Sequence, residues 1–198
     1  MWCITKGLRS RDRAIYAAAR RQLVFKNFAA LGKLYPPART ALEQERERME
    51  QALLGGKDDA NLARDIDALN CSLAQHPRSL ELYDRLPATA RARCVLFDKV
   101  IDLLIAHRRY AEVLKLVDPE TAFQQEAIMA RRQRALWDES PDARTQRGQW
   151  AFAVARGAML VEALAATGRV AEAKTLADAI VRFNQRQFAR DVLLHHAR

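Results

Sequence analysis

Asp102–Asp118 reads DLLIAHRRYAEVLKLVD, and sixty positions later Glu162–Asp178 reads EALAATGRVAEAKTLAD. Laid without gaps, the two stretches share Leu104/Leu164, Ala106/Ala166, Arg109/Arg169, Ala111/Ala171, Glu112/Glu172, Leu116/Leu176 and Asp118/Asp178, 7 identities in 17 positions. In each copy an apolar-periodic helix runs into a tight turn, His107-Arg108-Arg109-Tyr110 or Thr167-Gly168-Arg169-Val170, and a second helix opens on Ala-Glu. A lone helical hairpin cannot bury its apolar face, whereas stacked hairpins cover one another. A repeated helix–turn–helix unit therefore points to a helical array that binds rather than catalyses.

Outward from this pair, helix signals continue in both directions. Alanine, leucine, glutamate and arginine dominate, β-branched residues are sparse, and no stretch alternates at period two, so the chain is expected to be all-α. Upstream, helices are expected over Arg11–Leu31 and over Ala38–Leu54, the latter closed by Gly55-Gly56. Asp58 or Asp59 caps a helix over Ala60–Gln75, with Leu62, Ile66, Leu69 and Leu73 at i, i+4, i+7 and i+11. His76-Pro77 stops it, a short helix runs to Leu86, and Pro87 opens the first hairpin, Thr89–His107 with Tyr110–Val117. Asp118-Pro119 starts the next helix, to Trp137, and Ser140-Pro141-Asp142 breaks it. Helices over Ala143–Ala166 and Val170–His196 complete the chain, the last with a bend expected near Asn184. Gly157 falls on the Trp150/Val154/Val161/Leu164 face, where its missing side chain lets a second helix come close. A fainter echo, Leu31-Gly32-Lys33-Leu34 followed by Ala38-Arg39-Thr40, hints at a third hairpin. The expected organisation is one all-α domain over 1–198, with an irregular helical half (1–87) and two hairpin units (88–198).

The turn and second helix, Gly168-x-Val170-x-x-Ala173, and in part Arg108-x-Tyr110-x-x-Val113, resemble the tetratricopeptide repeat. The spacing of sixty exceeds that family's period of about 34 residues, so an extra helix, Pro119–Trp137, sits between the copies. The resemblance implies stacked antiparallel hairpins in a right-handed solenoid, with the first helix of each hairpin lining a concave groove. Carried onto this chain, it places Val95, Asp98, Asp102, Ile105, Ala158, Glu162 and Ala165 along the groove. Such a groove suits a peptide or helix of a protein partner, and its acids favour a basic or amphipathic one.

The formal charge of +9 is uneven: +8 over residues 1–39, −5 over 40–84 and +6 over 85–198. The basic N-terminal arm, with Arg9, Arg13, Arg20 and Arg21, supports an alternative reading as an anion-binding or nucleic-acid-binding helical protein. Against it, arginine outnumbers lysine throughout, as in any protein of a GC-rich bacterial genome. The basic stretches, including Arg131-Arg132-Gln133-Arg134, also lack aromatic residues for base stacking. Trp2, Ile4 and Leu8 form an apolar tip beside that arm, while Trp137 and Trp150 lie at core spacing.

Catalytic constellations are absent from the sequence. None of Ser10, Ser72, Ser79 and Ser140 lies in a Gly-x-Ser-x-Gly turn, and no glycine-rich phosphate loop follows a strand. His76, His107, His195 and His196 form no His-x-x-x-His or Glu-x-x-His pair, so no metal or cofactor is expected. Asp98 and Asp102, at i and i+4, read as a solvated face or as groove acids rather than a general acid–base pair. Cys3, Cys71 and Cys94 have no paired spacing; Cys71 and Cys94 read as buried small hydrophobes, bridged only if the protein is exported. No apolar run spans a bilayer and no signal-peptide core is present, so membrane insertion is not expected. The expected location is the cytoplasm, or outside it if a leader has been removed. The combined expectation is a non-catalytic interaction module or scaffold of open oligomeric state.

Overall fold

Every regular element among the described residues of the computed structural model is helical. Backbone is described for residues 17, 19–137 and 143–196, and side chains for 17, 19–132 and 150–185. A π-helical turn, Arg20–Val24, leads into α1 (Phe25–Leu34), α2 (Pro36–Leu54), α3 (Ala60–Ser72), α4 (Pro77–Arg85) and α5 (Arg91–Ala106). The remaining elements are α6 (Tyr110–Leu116), α7 (Pro119–Trp137), α8 (Ala143–Ala166) and α9 (Val170–His196). The last helix continues without a break through Asn184. No described helix is long and apolar enough to cross a membrane.

The chain divides into two compact units, 1–103 and 104–198, with the boundary inside α5. The seam read at Pro87 thus falls within the first unit. The two neighbouring aspartates after Gly56 explain why. Asp59 caps α3, accepting from the backbone N–H of Asn61 and Leu62 (2.9 and 3.2 Å), while Asp58 caps α5, accepting from Arg91 and Ala92 (3.0 and 2.9 Å). Arg93 adds a bond to the Leu86 carbonyl (2.8 Å) and lies over the Tyr83 ring. The start of α5 is therefore tied to the α2–α3 loop and to α4 on either side of Pro87.

In the first unit α1 and α2 pack on α3, and α3 on α4, around Phe25, Leu42, Met49, Ile66, Leu69, Leu82 and Tyr83. Gly32 does not form a turn, as its echo of Gly168 implied. It lies inside α1, where a Cβ would come 2.9 Å from the Cβ of Arg39, and the chain reverses at the extended Tyr35 ahead of Pro36-Pro37. A run of polar side chains crosses this core: Arg46, Asn70, Ser79 and Asp67 are all buried. Cys71 and Cys94, expected inside, are exposed free thiols, because both fall off the stripes that carry Leu69/Leu73 and Leu96/Phe97.

The second unit is built on α8, which packs against α6, α7 and α9. At Gly157 the neighbours do approach: a Cβ there would lie 2.7 Å from Ile180 Cδ1 and 3.0 Å from Phe123 Cδ2. Beside it Phe183 meets Phe123 edge-on (centroids 5.7 Å) and stacks on Trp150 (3.8 Å), whose indole N–H donates to Asn184 Oδ1 (3.1 Å).

The turns of the two matched stretches share one geometry. Arg108 (φ 57°) donates its N–H to the Ile105 carbonyl and Arg109 to Leu104, while Gly168 (φ 79°) donates to Ala165 and Arg169 to Leu164. Both are the paired-bond helix terminator that needs a left-handed residue. The matched Arg109–Glu112 and Arg169–Glu172 ion pairs follow each turn, and Leu104 and Leu164 are both buried. Gly56 and Ala74 close α2 and α3 in the same way. The copies then diverge: α6 ends after seven residues with Leu116 exposed, whereas Leu176 is buried in the long α9. A side chain at φ near +57° costs about 1 kcal/mol that glycine avoids. Arg108→Gly should therefore raise the unfolding free energy by about 1 kcal/mol, and Gly168→Ala should lower it by a similar amount, in urea denaturation.

Candidate functional site

A cleft of about 300 Å³ opens in the second unit where α7 and α9 begin. Its floor is Phe123, Leu164 and Leu176, all buried, with Ala171 and Ala179 on the wall. Asp118, Glu120 and Glu172 form the rim, with Arg182 as the one cation of the lining. Local chemistry puts acids there. Asp118 caps α7, its carboxylate accepting from the Thr121 N–H (2.9 Å), and Glu120 and Glu172 occupy the first turns of α7 and α9, where the helix dipole favours negative charge. Hydrogen bonds from Thr121 hold the Asp118 carboxyl below its ordinary range, and the Arg169 guanidinium does the same for Glu172. Asp118 and Glu172 are therefore ionised at neutral pH. An apolar floor under such a rim can hold an apolar side chain flanked by cationic ones.

No protein-family model, no curated protein and no solved structure matches this chain.

The residues expected along a groove are placed as follows. In the first unit Val95 is half-buried, and Asp98 and Asp102 are exposed on α5. In the second unit Ile105 is buried, and Ala158, Glu162 and Ala165 are exposed on α8. Glu162 is engaged, accepting a 2.7 Å hydrogen bond from the Tyr110 hydroxyl of α6. That bond pushes the Tyr110 hydroxyl above the usual tyrosine range. None of these residues lines the cleft. The cleft was not visible in the sequence, although Asp118-Pro119-Glu120 and Glu172 marked the two helix starts that frame it.

Of the basic-arm residues, Arg9 and Arg13 lie outside the described residues, as do Trp2, Ile4, Leu8 and Cys3. Arg20 and Arg21 converge on one carboxylate. The π-turn brings both guanidinium groups to Asp65 of α3, Arg21 Nε at 2.7 Å from Oδ1 and Arg20 at the other oxygen, and Arg21 also reaches Asn61. Burial raises the Asp65 pKa, and the two arginines oppose that shift. These two cations therefore fasten the entry helix to α3.

A second cluster of chemically capable groups lies in the first unit, where sequence reasoning found none. Asp67, Cys71 and His76 bring one potential ligand atom each to within 4.8 Å of one another. The signal was Asp67 and Cys71 at i and i+4, with His76 just past the turn; a search for paired histidines passed over it. Although Cys71 is exposed as a residue, partial burial of its sulfur, followed by the fields of Asp67 and Asp102, pushes its thiol to about 11 from 9.0. The raised value means a smaller thiolate fraction at neutral pH, by about a hundredfold. In a Cys3→Ser/Cys94→Ser background with chelator present, the iodoacetamide reaction of Cys71 should gain about tenfold per pH unit up to about pH 10. A profile that levels off near 9 would remove this description of the site.

Proposed function

We propose that this protein is a non-catalytic interaction module, built of degenerate tetratricopeptide-like hairpins, that captures an amphipathic basic segment of a partner protein in the cleft of its second unit. The observation that carries the reading is the pairing of an apolar floor, Phe123, Leu164 and Leu176, with the rim carboxylates Asp118, Glu120 and Glu172. A cavity of about 300 Å³ is at the small end for ligand sites. It suits one or two anchoring side chains of a peptide, with the rim supplying register and selectivity. Among the described residues the same unit also exposes Leu116, Ile128, Met129, Phe152, Val170 and Val181, apolar surface that a bound segment can cover. The equivalent turns at Arg108 and Gly168 support the repeat reading. An acidic rim repels phosphate, and Arg20 and Arg21 already share Asp65, so the structure favours a protein segment over nucleic acid.

A random-peptide phage library selected on the full chain should yield sequences that combine Lys or Arg with Leu, Ile or Phe. Glu120→Arg with Glu172→Arg should weaken the selected peptides by about tenfold or more, and Ala171→Trp should block them by filling the wall. Glu162→Arg, on the exposed face of α8, should leave them bound. Peptides of neutral or acidic character, or binding that survives both the rim reversal and the filled wall, would reject the reading.

A further inference from the structure

The cluster on α3 has the composition and layout of a metal site. Asp67 and Cys71 are four residues apart, which puts both side chains on one face of α3. The helix ends at Ser72, and Ala74 takes the left-handed conformation (φ 57°), with Ala74 donating to the Cys71 carbonyl and Gln75 to that of Asn70. This reversal delivers His76, at the start of α4, back over the last turn of α3. Its Nε2 lies 3.7 Å from Asp67 Oδ1, and its Nδ1 lies 4.0 Å from Asp102 Oδ2 on α5.

We propose that Asp67, Cys71 and His76 bind a divalent cation of the zinc type, with Asp102 orienting the histidine. The donor set is one oxygen, one sulfur and one nitrogen, which suits zinc or cobalt and not the oxygen-loving magnesium or calcium. Zinc bonds of about 2.0–2.3 Å set tetrahedral ligand–ligand edges of about 3.3–3.7 Å. The Asp67–His76 separation of 3.7 Å is within a few tenths of an ångström of an oxygen–nitrogen edge, and the exposed Cys71 would close the wider gap by a side-chain rotation.

Supporting contacts fit the same assignment. With Nε2 on the metal, Nδ1 lies 4.0 Å from the Asp102 carboxylate, and a small shift of either side chain would let that outer carboxylate fix the ligating imidazole. Ser79 donates to Asp67 Oδ1 (2.9 Å), the oxygen that also faces His76, and is itself held by the Asn70 amide (3.1 Å), so the buried carboxylate is fixed in orientation. Two groups compete with the cation: the Lys99 carbonyl, 3.1 Å from His76 Nε2, and the Lys99 ammonium, whose field reaches Asp67 and Cys71. Lys99 is exposed and free to move its ammonium into solvent. Metal binding replaces the thiol proton of Cys71, which leaves to solvent, and the solvent side of the cluster supplies the fourth position as water.

Cobalt titration of the full chain tests the assignment. One equivalent should bind and give a thiolate-to-cobalt charge-transfer band in the near ultraviolet, bleached by zinc. Cys71→Ser should abolish the band, while Cys94→Ser and Cys3→Ser keep it. His76→Gln should weaken cobalt binding at least tenfold, and Asp102→Asn should weaken it by about tenfold with the band retained. Circular dichroism on each variant separates loss of binding from loss of helix, and His76→Gln carries the test if Cys71→Ser loses helix. Absence of the band, its persistence in Cys71→Ser, or undiminished affinity in His76→Gln would overturn the proposal.

Discussion

The first unit depends on a buried guanidinium. Arg46 of α2 is 1% exposed, and its charge must be answered inside the core. Glu50 lies 3.6 Å away one turn along α2, Asn70 accepts from Arg46 at 3.5 Å, and Gln75 accepts a further bond from it. Arg78 of α4 joins at Glu50 (3.3 Å). Burial lowers the Arg46 pKa, the nearby Arg78 lowers it further, and Glu50 opposes both. An uncompensated buried charge costs about 3–5 kcal/mol, so α2, the end of α3 and the start of α4 are constrained to bring their polar groups to one point. Hydrophobic contact alone is non-directional and would tolerate a rotation of α3; this network does not.

That constraint reaches the cluster of Asp67, Cys71 and His76. Asn70 accepts from Arg46 on one side and donates to Ser79 on the other, and Ser79 donates to Asp67. The carboxylate that faces His76 is thus fixed by a chain of hydrogen bonds beginning at Arg46. The second unit uses a different device. Gly157 lets Ile180 and Phe123 close on α8, and Phe183, held between Phe123 and Trp150, locks the three helices together. The cleft is what remains where α7 and α9 start, lined by Phe123, because the short residues Ala171 and Ala179 leave it unfilled.

The local sequence was informative wherever a single helix or turn decides the outcome. Pro119, Ala166 and Val170 are read at their observed limits, because Asp118-Pro119 and Gly168 act on the backbone within one turn. The Arg108 and Gly168 turns are equivalent as the repeat implied. Trp150, half-buried, stacks on Phe183, the packing role that its spacing with Val154 and Leu164 indicated. Where two segments had to meet, the reading was incomplete. Nothing local distinguishes Asp58, which caps α5 across 33 and 34 residues, from Asp59, which caps its own helix. Gly32 matched Gly168 in its neighbours but serves a close approach of α1 and α2.

The sequence by itself determined an all-α chain, most helix limits and the pair of equivalent turns, since these follow from capping, φ preference and periodicity within a few residues. Tertiary structure alone decided which charges are partnered. Arg20 and Arg21, read as part of a basic arm that offered an alternative anion-binding site, end on Asp65 because the π-turn aims both at α3. Cys71 and His76, read separately as a core residue and a helix stop, meet Asp67 because Ala74 turns the chain back. The cleft, too, belongs to no stretch of sequence: its acids lie at the starts of two helices, and its floor comes from three. Ion pairing, ligand convergence and concavity depend on distances between segments, and packing sets those distances.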